Sequence, residues 1–352
     1  MGRTAFKSLM IVESPAKAKT IEKFLGGEFE VKACMGHVKD LPERKLGISL
    51  INHFEPTYVI VRGKAKILQD LRKAAKDAKN ILLATDPDRE GEAIAWHVAQ
   101  EISPGTDGKR RVLFNEITEK AVKNAVNNPS VIDEKKVNAQ QARRIMDRLV
   151  GYQVSPLLWK TVAKGLSAGR VQSVALRLVC EREQSIASFI SEEYWSVLAE
   201  VKGARSDAFQ AKLVSLHGEK VAIPNEKTAQ EIVDDLKGKT FSVEDIKKKK
   251  VKKNPQPPFI TSTLQQEAAR KLRFSPQRTM VLAQQLYEGI DVGNGGLVGL
   301  ITYMRTDSTN ISPLAQNEAA KFIAQRYGEK FLPAKPNVYR KKSRRAQEAH
   351  EA

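Results

Sequence analysis

Two separate segments of the chain show the same order of features: a short apolar strand, then acidic side chains, then a helix. Residues 8–12 are an apolar run, Glu13 follows it, and the Ser-Pro pair at positions 14 and 15 is typical of a helix that begins there. In the stretch ILLATDPDREGEAIAWH (residues 81–97) another apolar run ends at acids, and helical spacing then resumes. These acids are Asp86, Asp88 and Glu90. In an open parallel sheet both acidic groups would lie at the carboxyl ends of strands, where ligand sites are usual, so the sequence predicts an α/β domain with a site on that edge.

The carboxylates at this edge favour a divalent metal. Asp86, Asp88 and Glu90 supply the hard oxygen ligands that Mg²⁺ prefers, and Mg²⁺ in proteins is commonly bound together with phosphate. Acids in the first turn of a helix also have a purely structural role, because they complement the helix dipole. Since Glu13 stands at a second strand end, the metal site beside a phosphate is the better interpretation.

The overall charge indicates a polyanionic partner. The chain has 59 Lys and Arg residues against 41 Asp and Glu residues, a formal net charge of +18. Each basic side chain that neutralises a phosphate releases a counterion, so such an excess favours nucleic acid, although an ordinary basic protein is the alternative. The chain shows no apolar run long enough for a membrane span, and Cys34 and Cys180 are isolated, without metal-ligand spacing.

The middle of the chain is predicted to be helical and then to contain strands. Residues 133–150 have an apolar stripe that ends at Gly151, and a second helix is expected from Ser167. The polar faces of these helices are rich in arginine, which fits a solvated surface and DNA contact about equally. The polar residues are Gln140, Arg143, Arg144, Asp147 and Arg148 on the first helix, and Arg170, Gln172 and Arg177 on the second.

Beyond this region, residues 194–243 show the short alternating runs of a β-containing module. The lysine-rich residues 247–253, which run into a proline-rich stretch, are predicted to be a solvated linker at a domain boundary. Residues 262–287 are predicted to be two helices, the second opened by the Ser-Pro pair at 275 and 276.

The segment GLITYMRTDS (residues 299–308) brings a possible nucleophile. In an extended backbone, residues two apart face the same way, so Arg305 would stand beside Tyr303. A neighbouring guanidinium would favour the phenolate and stabilise charge on an attacked phosphate. From the residues alone, a nuclease, a primase, a ligase and a topoisomerase all remain open.

A series of ordered motifs resembles the type IA DNA topoisomerases, and within them the bacterial topoisomerase I group. The motifs are IVESPAKAKTI at 11–21, ATDPDREGEAIAWH at 84–97, RVLFNEIT at 111–118, QARRIMDRLVGY at 141–152, LSAGRVQSVALRLV at 166–179, PFITSTLQQEA at 258–268 and GLITYMRTDS at 299–308. The resemblance implies an α/β multidomain protein with a Rossmann-like Toprim domain, helical domains and a smaller β-containing domain, as part of a ring. It implies a Toprim domain at 1–40 and 68–132, a helical DNA-binding domain at 41–67 and 133–190, a β-containing arch at 191–260 and the tyrosine domain at 261–352, the last three incomplete.

The resemblance also implies a reaction. Tyr303 would attack a phosphodiester of single-stranded DNA and become joined to the 5′ phosphate. Arg305 and Lys17 would stabilise the phosphate, and Glu13 would protonate the leaving 3′ oxygen. Asp86, Asp88 and Glu90 would hold Mg²⁺, needed chiefly for rejoining. No ATP and no zinc site are expected, and negatively supercoiled duplex DNA would be relaxed by a monomer in the cytoplasm, associated with the nucleoid.

Further residues match family positions that contact the cleaved strand. These are His37, Arg89, Arg111, Arg143, Arg144, Asp147, Tyr152, Arg170, Gln172 and His350. Arg144, Asp147 and Tyr152 lie where relatives sense a cytosine upstream of the cut, and a local structural role for His350 is nearly as good an interpretation. Because the family's motifs normally continue beyond the last residue, the chain is expected to be the N-terminal part of a longer protein.

Four alternatives remain. A primase or nuclease could share the Toprim acids, but it would not need the tyrosine motif. Topoisomerase III is expected to differ around the first two motifs, and reverse gyrase needs a helicase half. Finally, the chain could bind single-stranded DNA without cleaving it.

Overall fold

The computed structural model describes residues 8–102, 110–203, 207–293 and 296–339. The chain divides into two compact units, one built from the segments up to Arg170 and from Pro255 onward, the other from Val171–Asn254. Up to Thr161 the elements are β1 (Ser8–Val12), α1 (Pro15–Leu25), β2 (Phe29–Ala33), β3 (Lys39–Asp40), β4 (Val59–Ile60), α2 (Ala65–Asp77), β5 (Asn80–Leu83), α3 (Arg89–Ile102), α4 (Glu119–Asn127) and α5 (Glu134–Thr161). They are followed by α6 (Arg170–Ala187), β6 (Leu198–Val201), β7 (Phe209–Lys212), β8 (Ser215–Leu216), β9 (Glu219–Lys220) and α7 (Glu226–Leu236). The last elements are α8 (Thr261–Leu272), α9 (Pro276–Glu288), β10 (Ile290–Asp291), β11 (Leu297–Val298) and α10 (Pro313–Tyr327).

The first unit is built on a three-stranded parallel sheet with the order β2-β1-β5. In the register of the central strand, Ser8 is opposite Phe29 on one side and Asn80 on the other. The segment at Arg111 extends the sheet, because Val112 N donates to Leu83 O. The predicted parallel sheet is therefore confirmed.

The two faces of the sheet carry separate cores because side chains alternate along a strand. On β1, Met10 and Val12 pack with α1, α4 and α9, while Leu9 and Ile11 pack with α2 and α3. The first core also contains Tyr303 and Met304, so the C-terminal part of this unit packs against the sheet through these side chains.

The helix α5 is longer than predicted. It begins after Asp133, whose side chain accepts hydrogen bonds from Lys135 N and Lys136 N, and it continues through Gly151 and Pro156. The predicted end at Gly151 is therefore wrong. A glycine inside a helix costs only about 1 kcal/mol, which the rest of a long helix can offset. Ser155 in the added turns is buried and accepts a hydrogen bond from Ala168 N, a contact that the local sequence does not show.

The second unit has α6, two antiparallel ladders (β6 with β7 and β8 with β9) and α7. The predicted β-containing module is thereby confirmed. None of the residues of α6 is buried, so its predicted apolar side is exposed in the part of the chain that the structure describes. Among the described helices, none has both the length and the apolar character that crossing a membrane requires.

Candidate active site

Glu13 and Asp86 meet at the carboxyl edge of the sheet, directly after β1 and β5. Asp86 N donates to Glu13 Oε1 at 3.1 Å. Burial and the neighbouring Asp86 raise the pKa of Glu13 to about 8, so Glu13 carries a proton at neutral pH. Burial alone would raise the pKa of Asp86 too, but Lys17 and the proton on Glu13 lower it below its ordinary value. The pair is thus one acid and one carboxylate.

Lys17 lies on the first turn of α1 and is fully buried. Its Nζ donates to Asp86 Oδ1 at 2.8 Å and stands 5.1 Å from the centre of the Phe114 ring. In this arrangement Lys17 neutralises Asp86 and has no surface that a phosphate can reach. The predicted phosphate contact would require Lys17 to become exposed.

Tyr303 is brought to the same edge from the C-terminal part of the unit. Its hydroxyl donates to Asp88 Oδ2 at 2.6 Å, and its backbone N donates to Asn115 O at 2.8 Å. The side chain is 1% exposed and makes an edge-to-face contact with Tyr287, with ring centres 5.2 Å apart.

The state of the Tyr303 hydroxyl differs from the prediction. Burial, then the charges of Asp86 and Asp88, raise the pKa of Tyr303 far above its ordinary value. Arg305 acts in the opposite direction but does not prevail, and its guanidinium lies 3.6 Å from the same Asp88 Oδ2. The segment also bends rather than forming a strand. The prediction that Arg305 favours the phenolate is therefore wrong for this structure, where the tyrosine is neutral.

Glu90, at the start of α3, has other partners. Its Oε2 lies 3.2 Å from His37 Nε2 and accepts a hydrogen bond from Gln140 Nε2 at 2.9 Å. The hydrogen bond with His37 lowers the pKa of Glu90 to about 2, against the opposing effect of burial. Glu90 is thus a carboxylate that connects α3 to α5.

The loop between Thr85 and Gly91 turns the acids toward one another. Gly91 N donates to Asp88 Oδ1 at 2.8 Å, and Thr85 Oγ1 donates to Gly91 O at 2.6 Å. A β-carbon at position 91 would overlap the backbone oxygen of Asp86, so only glycine allows this loop to fold back so closely.

Four carboxyl groups face one cavity of about 590 Å³, together with His37 and Arg305. The four are Glu13, Asp86, Asp88 and Glu90. Their oxygens suit Mg²⁺. The pKa of Glu13 is raised by burial and then by the charge of Asp86, and a bound cation would oppose both effects. Within the described ranges no three acidic, histidine or cysteine side chains form a metal cluster. Asp86, Asp88 and Glu90 instead contact Lys17, Tyr303 and His37. The donor chemistry of the carboxylates fits the ion.

Arg111 has a role that the sequence did not indicate. It is fully buried, and its guanidinium donates to Glu92 Oε2 at 2.9 Å and to the carbonyl oxygens of Thr85 and Asp86 at 2.7 and 2.6 Å. Glu92 also accepts a hydrogen bond from Asp133 N, the cap of α5, at 2.7 Å. The predicted DNA contact of Arg111 is wrong for this structure, because the side chain has no exposed surface. A glutamate among apolar residues of α3 was the only signal of this pair.

Several predicted DNA-binding residues do come together next to the acids. A cavity of about 250 Å³ is lined by His37, Arg143, Arg144 and Asp147. Arg144 Nε donates to Asp40 Oδ1 at 2.8 Å, and Arg170 Nε donates to Asp147 Oδ1 at 2.6 Å.

Four further residues complete the predicted set. Arg89 lines another cavity, of about 520 Å³, together with Asp88 and Arg305. Tyr152 donates to Glu43 O and accepts from Arg148. Gln172 is exposed on α6 in the second unit, and His350 lies outside the described residues.

His97 makes the stability of the first unit depend on pH. It is buried beside Tyr58, and neither ring nitrogen has a protein partner within the described residues. Burial, then the positive charges of His37 and Lys39, lower its pKa to about 4, although Asp40 and Glu101 act in the opposite direction. Below its ordinary pKa the unfolded chain takes up a proton that the folded protein does not, so stability present above about pH 6.5 is lost as the pH falls toward 4.

We expect about 2 kcal/mol of unfolding free energy to disappear between about pH 7.5 and pH 5 through this residue. In His97→Phe this part of the pH dependence should be absent in thermal or urea unfolding, whereas the exposed His53→Gln control should keep it. An unchanged pH profile in His97→Phe would contradict the assignment.

Comparisons with family models and with solved structures find related proteins. A family model described as DNA topoisomerase matches residues 131–352, and a Toprim domain model matches residues 8–117. The chain is similar to the solved structure of full-length topoisomerase I from Thermotoga maritima, with 43% sequence identity and a TM-score of 0.78. The match covers 92% of this chain and 54% of that chain, so the present chain spans about half of that protein's length.

Proposed function

We propose that this chain, which belongs to the bacterial type IA DNA topoisomerases, breaks and rejoins one strand of DNA without ATP. Tyr303 would form a bond to the 5′ phosphate while the bond to the 3′ oxygen breaks. A second strand would pass before rejoining, and torsional strain in negatively supercoiled DNA would drive the reaction. The substrates would be single-stranded DNA and underwound duplex DNA.

The observation that carries this proposal is the contact of the Tyr303 hydroxyl with Asp88, beside a Glu13 that holds a proton. The nucleophile and the acid for the leaving group are thereby on the same edge of the sheet. As Tyr303 attacks phosphorus, its proton would pass to Asp88, and Glu13 would give its proton to the 3′ oxygen. Arg305, which is about half exposed, would stabilise charge on the phosphate.

Mg²⁺ would be held by Asp86, Asp88 and Glu90, and when bound it supplies a positive charge that positions the phosphate for rejoining. We expect EDTA to leave covalent capture of DNA intact and to stop rejoining. The measurement is the return of uncut oligonucleotide after high salt is added to the captured complex, with and without Mg²⁺. Equal return in EDTA would remove the metal from the proposal.

Covalent capture tests the reaction itself. The protein is incubated with a single-stranded oligonucleotide labelled at either end and is then denatured. A bond to the 5′ phosphate keeps the 3′-labelled piece on the protein and releases the 5′-labelled piece with a free 3′ hydroxyl. Label from the 5′ end on the protein would contradict the proposed linkage.

The second candidate is a chain that binds single-stranded DNA and does not cleave it. Binding of both oligonucleotides with no label on the denatured protein would favour this candidate. A primase or nuclease would give products without a stable protein link.

We also propose that the protein acts as a monomer in the cytoplasm, on nucleoid DNA. Sedimentation would test the oligomeric state, and cell fractionation would test the localisation.

A further inference from the structure

Residues 247–253 of the second unit contain six lysines and one valine. We propose that these residues, called the lysine segment below, are a second DNA contact that binds phosphates of duplex DNA next to the cleaved strand. The inference rests on the proposed function in one respect, because the duplex it binds is the DNA whose strand Tyr303 breaks.

The lysine segment is free to bind a partner. Residues 241–260 form neither helix nor strand, and all six lysine side chains are exposed. Lys247 Nζ lies 3.5 Å from Asp245 Oδ2, and this is the only ion pair of the segment among the described residues. Most of its charge is therefore not neutralised by the protein.

The spacing of these charges matches a dense polyanion. At about 3.3 Å per extended residue, the seven positions span about 20 Å. Duplex DNA carries one negative charge per about 1.7 Å of its axis, so several phosphates lie within reach of the segment at once. Each phosphate that is neutralised releases a counterion, which favours binding at low salt.

The composition of the segment favours a duplex over a single strand. No aromatic residue occurs between positions 242 and 258, and the flanking ones, Phe241 and Phe259, are each about six residues from the nearest lysine. Proteins that hold single-stranded DNA combine positive charge with aromatic rings on which bases stack. Without such rings the segment can bind only the backbone, and the duplex offers the higher density of phosphates.

The covalent chain limits the distance from this contact to the cleavage site. Thr261 follows Lys253 by eight residues, which allows at most about 29 Å. Thr261 lines a cavity with Asp88 and Arg305, and its hydroxyl donates to Thr306 O at 3.0 Å. The covalent chain thus keeps the C-terminal end of the segment within about 29 Å of a residue that lines this cavity.

The test compares two charge-matched variants. In the first, the last five lysines of the segment become glutamine: Lys248, Lys249, Lys250, Lys252 and Lys253. In the second, five exposed lysines elsewhere become glutamine: Lys66, Lys73, Lys76, Lys79 and Lys120. The binding constant for a duplex with a single-stranded tail is measured between about 50 and 200 mM salt.

We expect the slope of log K against log salt to become less steep by up to about 4.5 in the first variant, the value for five phosphates. The second variant should change by less than about 1. Binding of a short single strand should be nearly unchanged in both. Equal changes of slope in the two variants would overturn the proposal, because they would indicate an effect of net charge alone. An equal change of slope with the single strand would also overturn it, because it would indicate no preference for duplex DNA.

Covalent capture on a short single strand separates this proposal from the proposed function. The first variant should still capture the strand, because none of its altered residues lies at the active site. If the wild-type protein fails to capture DNA while the slope of the first variant still changes, the strand break is wrong and the duplex contact stands. An unchanged slope with capture intact would mean that the segment is a solvated linker.

Discussion

Replacement of Tyr303 by phenylalanine is expected to abolish covalent capture of DNA while binding of the same oligonucleotide persists. The substituted side chain keeps the ring that packs against Tyr287 but lacks the oxygen that would bond to phosphorus. The variant also loses the hydrogen bond to the Asp88 carboxylate, which contributes about 1.5–3 kcal/mol, so the fold should survive. The measurement is label on the denatured protein, with binding followed separately by a gel shift.

Tyr287→Phe is the matched control. Tyr287 is fully buried in the same core, and its hydroxyl donates a long hydrogen bond to Phe114 O, at 3.4 Å. Tyr287→Phe should retain most of the capture. If Tyr303→Phe still captured DNA, Tyr303 could not be the nucleophile. If both variants lost capture, the loss could not be assigned to the Tyr303 oxygen.

Replacement of Arg111 by methionine is expected to destabilise the first unit by about 3–5 kcal/mol. The change leaves Glu92 as an uncompensated buried charge and removes the donors for the carbonyl oxygens of Thr85 and Asp86. Because these carbonyls shape the acidic loop, capture and rejoining should weaken as well. The measurement is the free energy of unfolding in urea, followed by the near-ultraviolet signal of the first unit.

Two further variants interpret this result. Lys123→Met breaks an exposed ion pair with Glu119 on α4 and should leave stability unchanged within error. Arg111→Met combined with Glu92→Leu should be more stable than the sum of the single changes indicates, because no charge remains buried. A loss below about 1 kcal/mol in Arg111→Met would show that the buried pair does not hold the loop.

The sequence was sufficient to predict the frame of the site. The apolar run at β1, the Ser-Pro pair before α1 and the acids after β5 are local patterns, and local patterns fix which element each residue occupies.

The protonation and partners of the site could not be predicted in this way. The pKa of Tyr303 is raised by burial and then by the charges of Asp86 and Asp88, and Lys17 is buried against Asp86. These acids lie far from Tyr303 and Lys17 in the sequence. The DNA contact predicted for Arg111 rests on its match to a family position, whereas in the structure its partner is a glutamate on the buried side of α3. These protonation states and partners depend on burial and on contacts between residues that are distant in the sequence, which local patterns do not show.

Tyr303 and Met304 belong to the apolar core that covers β1 and α1, together with Ala283 and Tyr287 of α9. In the proposed reaction a second strand passes through the break, which would require this tyrosine-bearing part to leave the sheet, and each large side chain so exposed would cost on the order of 1.5–3 kcal/mol. The free energy of re-forming this apolar core would favour closure and would bring the two DNA ends back together. An open break in the DNA would therefore be the short-lived state of the proposed cycle.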